Sequence, residues 1–320
     1  MRCDRASLVR VSGVLQGFLV IGIAIALGYV LGRRDVLGEN ATSVLSRAAF
    51  FVATPALLFH TLADADPGEI FSWSLVVVGA SAALMCLLFV PIARRRGRDP
   101  METTVGSMAA GYVNAGNLGL PIAIYALSSP ADVAPALIFQ LALLTPVFTT
   151  ILDVQGARAE GRRPSYAWTL TAPARNPLAI ATALGIAVAL TGVELPEFVT
   201  APVEMIGDFA VPAMLFAFGI SLVSAHRPGR DEDPVVLGTV VVLKNLVQPA
   251  AALGLAMLLG IDGDELVAVV VMAALPTAQN VFGYAVRYGA GTSLARDSAL
   301  VSTVVSVPVL LGVLGVAALM

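Results

Sequence analysis

Ten apolar stretches, each long enough to cross a bilayer, follow one another along this chain of 320 residues: 11–31, 43–62, 70–93, 103–128, 131–152, 174–192, 201–224, 235–260, 265–288 and 295–318. A spanning helix needs ~20 mostly apolar residues. Backbone inside lipid must satisfy its own polar groups, which leaves helices or closed barrels. Only 13% of residues are charged, against roughly 25% in a soluble domain. The chain therefore reads as an all-α integral membrane protein. The polar breaks are too short to hold a separate soluble domain. The first apolar stretch exceeds a signal-peptide core of roughly 7–15 residues. Arg33 and Arg34 follow it directly, with no small-residue cleavage site, so it reads as an uncleaved membrane helix.

The breaks alternate between two sides. One side collects Arg33, Arg34, Arg94, Arg95, Arg96, Arg98, Arg158, Arg162, Arg163, Arg227, Arg230, Arg287 and Arg296. The other carries Asp64, Asp66, Glu69, Asp132, Glu194, Glu197, Asp262, Asp264 and Glu265. Arginine-rich loops stay in the cytoplasm. The expected location is therefore the cell membrane, multi-pass, with both termini outside. Arg2, Arg5 and Arg10 are the discordant charges. The net charge of −3 gives no reason to expect nucleic acid. Cys3 and Cys86 are too few for a disulfide framework or a metal cluster, and no cofactor is expected.

The longest break, from Asp153 to Arg175, lies near the middle and divides the chain into residues 1–153, a linker at 154–173, and residues 174–320. Each half then holds five helices. An odd number means that repeated halves must be inverted in the membrane. Proline supports the repeat. Pro55 precedes Pro212 by 157 positions, and Pro121 precedes Pro276 by 155.

Two apolar stretches are broken at such corresponding places. The fourth contains Asn114-Ala-Gly-Asn-Leu-Gly-Leu-Pro121, and the ninth contains Leu275-Pro-Thr-Ala-Gln-Asn280. Proline removes an N–H and clashes with the carbonyl four residues back. Gly116 and Gly119 loosen the turn before Pro121. The freed backbone groups must meet protein, water or a ligand. Asn114, Asn117, Thr277, Gln279 and Asn280 add donors and acceptors at the same depth. Half-helix N-termini favour an anionic group, and paired broken helices mark the binding sites of carriers. The candidate substrate site is therefore Asn114, Gly116, Asn117, Pro121, Pro276, Thr277, Gln279 and Asn280. The bland alternative is that proline and glycine kink these helices for packing, with the amides bonding neighbours.

Two charges could couple to that site. Lys244, the single lysine beside 18 arginines, lies about ten residues into the eighth stretch, ~15 Å deep at 1.5 Å per residue. A charge there costs roughly 2.5–3.5 kcal/mol on insertion scales. It reads as counter-charge to an anion, as a proton- or ion-linked switch, or as a structural pair. Asp208, about one turn before Pro212, reads as a partner of Lys244, a proton carrier, or a hydrated residue near the outer surface with Glu204. Asp153, Arg287 and Asp297 read as interface residues, and His60 and His226 suggest no ligand set.

The segments Asn114–Pro121, Arg175-Asn-Pro-Leu-Ala-Ile-Ala-Thr-Ala-Leu-Gly185, Ala210–Leu222, Leu275–Asn280 and Ser302-Thr-Val-Val-Ser306 resemble, in order, the auxin efflux carrier family. That family includes the plant PIN proteins and their bacterial and archaeal relatives. The resemblance implies an inverted five-plus-five repeat of ten helices, with the fourth and ninth crossing at their breaks. It implies a scaffold from helices one, two, six and seven, and a transport domain from three to five and eight to ten that moves elevator-fashion. It implies efflux of a small organic anion, auxin-like or another carboxylate, and a homodimer. Asn117 departs from the apolar or aromatic residue the family pattern carries there, so specificity does not transfer from a relative.

Other classes fit less well. Sodium-coupled uptake, as in the similarly built bile acid symporters, needs an oxygen cage, usually with carboxylates. Neither break contains Asp or Glu. An intramembrane enzyme would need a catalytic pair, paired Asp or a metal motif, and none is visible. A membrane receptor or sensor would need a signalling module.

Overall fold

The computed structural model describes residues 19, 22–64, 72–119, 122–123, 127, 130–161, 176–223 and 228–317. Pro121 and much of the expected central linker lie outside them. So do Arg2, Arg5, Arg10, Arg162, Arg163, Arg227 and His226. The described residues are overwhelmingly helical. Six helices are long and apolar enough to span a membrane: α2 (Ala41–Ala63), α3 (Trp73–Arg95), α5 (Ala134–Ala159), α7 (Glu197–Ser221), α8 (Pro234–Leu258) and α11 (Thr292–Ala317). Two shorter apolar helices are α1 (Gly22–Arg33) and α6 (Pro177–Thr191). The fourth and ninth stretches hold short helices instead, α4 (Pro100–Gly111), α9 (Gly263–Ala274) and α10 (Asn280–Tyr288).

Local sequence explains the starts. Asp99, Asn176 and Asp233 each precede a proline and cap the following helix. Asp99 accepts from the N–H of Met101 (2.7 Å) and Glu102 (2.9 Å). Asn176 accepts from Leu178 N–H at 2.9 Å, and Asp233 from Val235 N–H at 2.8 Å. Such caps satisfy donors that the first turn leaves free, and proline fits the first helical position because its missing N–H would be unpaired there anyway.

Proline inside the spans has a second signature. The helix widens to a π-type turn at Ala49–Ala53, Phe139–Leu144 and Leu243–Val247. Pro55, Pro146 and Pro249 follow each of these two residues later. The carbonyl four residues before each proline falls inside the widened turn, where a longer i→i+5 spacing relieves the clash. α7 is interrupted at Phe209, three residues before Pro212.

Glycine sets the closest helix contacts. A Cβ on Gly219 of α7 would lie 2.2 Å from the Ile25 carbonyl oxygen of α1, and one on Gly28 would lie 2.6 Å from that of Phe216. Gly185 of α6 meets Phe59 of α2, and Gly207 of α7 meets Leu57 of α2, at 2.8–3.0 Å. In α4, Gly111 abuts Cys86 and Ala82 of α3. Small residues at such crossings let backbones approach, and close packing is what drives helix association in lipid. α10 meets α2 and α7 through aromatic edges, Phe282 on Phe218 at 5.4 Å and Tyr284 on Phe50 at 6.1 Å.

Candidate functional site

α4 and α9 are each 12 residues long, about 18 Å at 1.5 Å per residue, a little more than half the ~30 Å hydrocarbon core. α4 starts beside the arginine-rich Arg94–Arg98 segment and α9 beside Asp262, Asp264 and Glu265. The two therefore enter from opposite faces and end near the same depth.

There the two breaks pair as a short antiparallel bridge between Val113 and Thr277. Asn114 N–H donates to the Pro276 carbonyl at 2.8 Å, and Ala278 N–H donates to the Tyr112 carbonyl at 3.2 Å. Helix breaking thus leaves backbone groups that each break supplies to the other. This meets the requirement that no backbone group at membrane depth faces lipid unpaired. Side chains reinforce the crossing. Asn114 Nδ2 donates to Gln279 Oε1 at 2.8 Å, and Thr277 Oγ1 donates to the Ala109 carbonyl at 2.8 Å. Ser302 of α11 accepts from Thr277 N–H at 3.0 Å. Asn114, Thr277 and Gln279 are at most 2% exposed.

Past the crossing, the chain resumes as helix at Ala115–Gly119 and at Asn280. Two helix N-termini therefore sit beside two helix C-termini. Their polarity differs: N-termini favour negative charge and C-termini positive charge. α8 supplies donors to the C-terminal ends. Lys244 Nζ donates to the Ala273 carbonyl at the end of α9 (3.3 Å) and to Gln248 Oε1. Gln248 Nε2 reaches the Gly111 carbonyl at the end of α4, at 3.5 Å. One residue pair, an i,i+4 step across the widened turn of α8, thus serves both half-helix C-termini. Neighbouring Asn245 donates to the Ser302 carbonyl at 3.1 Å, while its own Oδ1 is buried without a hydrogen-bond partner among the described residues.

On the N-terminal side there is room. Gly116 is exposed, and a Cβ built on it meets nothing within 4 Å. Gly119 is the opposite case, since its Cβ would lie 2.8 Å from Val133. Asn280, first residue of α10, is partly exposed. Beside the buried amides of the crossing, the positions open to the surroundings are thus Gly116 and, in part, Asn280 at the start of α10.

Of the expected site residues, Asn114, Gly116, Pro276, Thr277, Gln279 and Asn280 come together here. Asn117 lies in the turn, but its side chain, like Pro121, lies outside what is described. Lys244 joins the site from behind. Asp208 does not meet Lys244; it is exposed at the break in α7, and the partners of Lys244 are Gln248 and Ala273. His60 faces Asp64 (3.3 Å) and Glu204 (3.9 Å) near a helix end. No group of three metal-ligating side chains occurs among the described residues. Tyr112, Asn245, Gln248 and the hydroxyl of Ser302 are the contributions that residue-by-residue reading misses. Their signal is polarity inside an apolar span at one depth, as in Lys244-Asn245-Leu-Val-Gln248.

Three acidic or basic groups read as interface residues are structural pins. Asp153 accepts from Tyr288 and from Asn176, both at 2.9 Å, tying α5, α10 and the start of α6 together. Asp297 is fully buried and accepts from Gly229 N–H at 2.8 Å. Arg287 stacks over Phe51 at 4.8 Å and Phe50 at 5.5 Å.

Comparison with known proteins gives one family. The family described as "Membrane transport protein" matches residues 14–314. A "Putative malonate transporter" of Rhizobium meliloti (strain 1021) is 29% identical over 298 residues, 91% of each chain. An "Uncharacterized transporter" of Methanothermobacter thermautotrophicus is 26% identical over 307 residues, 92% of this chain and 95% of the relative. The "Uncharacterized transporter YfdV" of Escherichia coli (strain K12) is 26% identical over 291 residues, 89% and 91%.

Proposed function

We propose that this chain, which belongs to the membrane transport protein family, is a secondary carrier that exports a small organic anion through the crossing of its two broken helices. The observation that carries the reading is the Val113–Thr277 bridge with the Asn114–Gln279 bond beside it. Two helix N-termini at that crossing favour a carboxylate. Gly116 is exposed there, and a Cβ on it would meet nothing within 4 Å. Asn114, Gly116, Asn117, Pro121, Pro276, Thr277, Gln279 and Asn280 form the binding surface in this reading. The name of the Rhizobium meliloti relative carries malonate, so short dicarboxylates join auxin-like acids as test cargo.

The reading includes an inverted repeat of five plus five helices. Beyond the pairs at Pro55/Pro212 and Pro121/Pro276, Pro91 and Pro249 lie 158 positions apart, and Pro146 and Pro308 lie 162 apart. α1, α2, α6 and α7 would form the fixed scaffold, consistent with their glycine contacts. The remaining helices would form the moving body. The sliding surface would be the aromatic contact of α10 with α2 and α7, where Phe282 and Tyr284 meet Phe218 and Phe50 edge-on. Such a surface has few polar bonds to break when it shifts.

Lys244 is the charge-coupling residue in this reading, because a cation behind the crossing offsets an anion in front of it. Asp208 is the weaker candidate, exposed and apart from Lys244. Sodium-coupled uptake is less favoured, since Lys244 and Gln248 already serve the half-helix C-terminal carbonyls that a metal cation would seek.

The test is flux in proteoliposomes of the purified chain, with malonate, malate, indole-3-acetate and short monocarboxylates, with and without a pH or sodium gradient. Saturable flux of an acid that Asn114→Ala abolishes supports the proposal. Flux that requires sodium replaces export with symport, and absence of flux for every acid with folded protein overturns the organic-anion reading.

A further inference from the structure

A groove of about 550 Å³ runs along the flank of α3 and α5. Its wall spans Ala83 to Arg94 of α3, a rise of about 16 Å at 1.5 Å per residue. That is the depth of one leaflet of a ~30 Å hydrocarbon core. Leu87 (69% exposed), Leu143 (52%) and Val147 (45%) border it, so it opens sideways towards acyl chains rather than towards water.

At the arginine-rich end the groove runs into a polar basin of about 890 Å³, the two sharing Arg94, Pro100 and Gln155. The basin's acidic residues are engaged. Asp99 caps α4. Arg98 holds Glu232 at 2.7 Å and Glu102 at 3.5 Å. Arg94 and Arg158 line the basin, are exposed, and form no ion pair among the described residues. The buried hydroxyl of Thr103 lines the groove without a hydrogen-bond partner among the described residues.

An apolar slot one leaflet deep, an unpaired hydroxyl near its mouth and two unpaired arginines beyond it reproduce, in order, the chain, ester and phosphate of a glycerophospholipid. We infer that this flank is a binding site for an anionic phospholipid, with one acyl chain in the groove and the phosphate on Arg94 and Arg158. The groove's inner wall touches the edge of the crossing where Cys86 abuts Gly111, and the inference holds whatever the carrier's cargo.

Native mass spectrometry of the full chain, released from micelles containing equal amounts of dioleoyl phosphatidylglycerol and dioleoyl phosphatidylcholine, tests it. Phosphatidylglycerol should be retained at least about tenfold more, as expected for two arginines facing an anionic headgroup. Arg94→Gln with Arg158→Gln should remove that preference, and Ala83→Phe or Val147→Phe should reduce retention of both lipids. Equal retention, a preference unmoved by the double arginine variant, or competition by water-soluble glycerol phosphate as strong as by the lipid would overturn the site.

Discussion

Asn114 and Gln279, 165 positions apart, share one hydrogen bond of 2.8 Å at the place where two helices break. Both side chains are buried, and both flank the backbone bridge that joins the breaks. The bond links the two halves of the chain at the depth where an anion would meet the helix N-termini.

Asn114→Ala should leave the Gln279 amide without this partner in a buried setting, at a cost of roughly 1–3 kcal/mol. Gln279→Ala should cost a similar amount, and the double variant less than their sum, because the two act through one contact. Thermal unfolding in detergent measures the coupling. Strict additivity would show that the bond is incidental.

Lys244→Met should keep the protein folded while reducing flux at least about tenfold. Removing a buried charge relieves desolvation, which offsets the two acceptors left unpaired at Gln248 and Ala273. The net stability change should stay within about 2 kcal/mol. Lys244→Arg should not restore flux, since the planar guanidinium does not fit a site built for an ammonium. Wild-type flux in Lys244→Met would remove the residue from the mechanism.

Gly116→Val and Gly219→Val should separate function from folding. At Gly116 the added atoms enter open space beside the crossing, so the variant should fold and lose flux. At Gly219 they collide with the α1 backbone, with Cβ already 2.2 Å from the Ile25 carbonyl oxygen. Overpacking of that kind costs typically 1–3 kcal/mol, and the loss should appear as reduced unfolding temperature. Equal unfolding temperatures for the two variants would contradict the packing described for α1 and α7.

Glu232 supplies a pH test outside the spans. Burial pushes its carboxyl above the ordinary value of 4.5, against the pull of the Arg98 guanidinium. A raised carboxyl contributes stability that is complete below pH 4.5 and is lost as pH rises through the folded value. Glu232→Gln should therefore be stabilising or neutral relative to the parent at pH 7, and the difference should vanish below pH 4.5. Unfolding temperatures of both proteins between pH 4 and 8 measure it. A variant less stable at pH 7 would show that the Arg98 contact outweighs burial.

Legibility differed from residue to residue. Asn114, Thr277 and Gln279 stood out because helix breakers and amides share a short apolar segment, and few positions inside lipid tolerate both. Lys244 stood out through its charge. Its setting did not, because the Ala273 carbonyl lies on α9, and Gln248, one turn on in α8, reaches the Gly111 carbonyl of α4. Asp208 is the converse. Its place before Pro212 left open a link to Lys244, a proton carrier or a hydrated surface residue, and the structure leaves it exposed and apart from Lys244. Asp297 looked like a boundary charge but is enclosed by the Gly229 turn, a contact of 68 positions that no local pattern announces.

The sequence by itself determined that this chain is helical and membrane-embedded, where its helices break, and which groups those breaks expose. These follow from local rules: bilayer thickness sets segment length, and proline and glycine set the breaks. Tertiary structure decided how the exposed groups are satisfied. Val113 faces Thr277, Ser302 receives the Thr277 N–H, and Lys244 with Gln248 reaches both half-helix ends. A hydrogen-bonding group in lipid must find a partner, but the requirement says nothing of which one. That choice is made by packing between helices far apart in the chain.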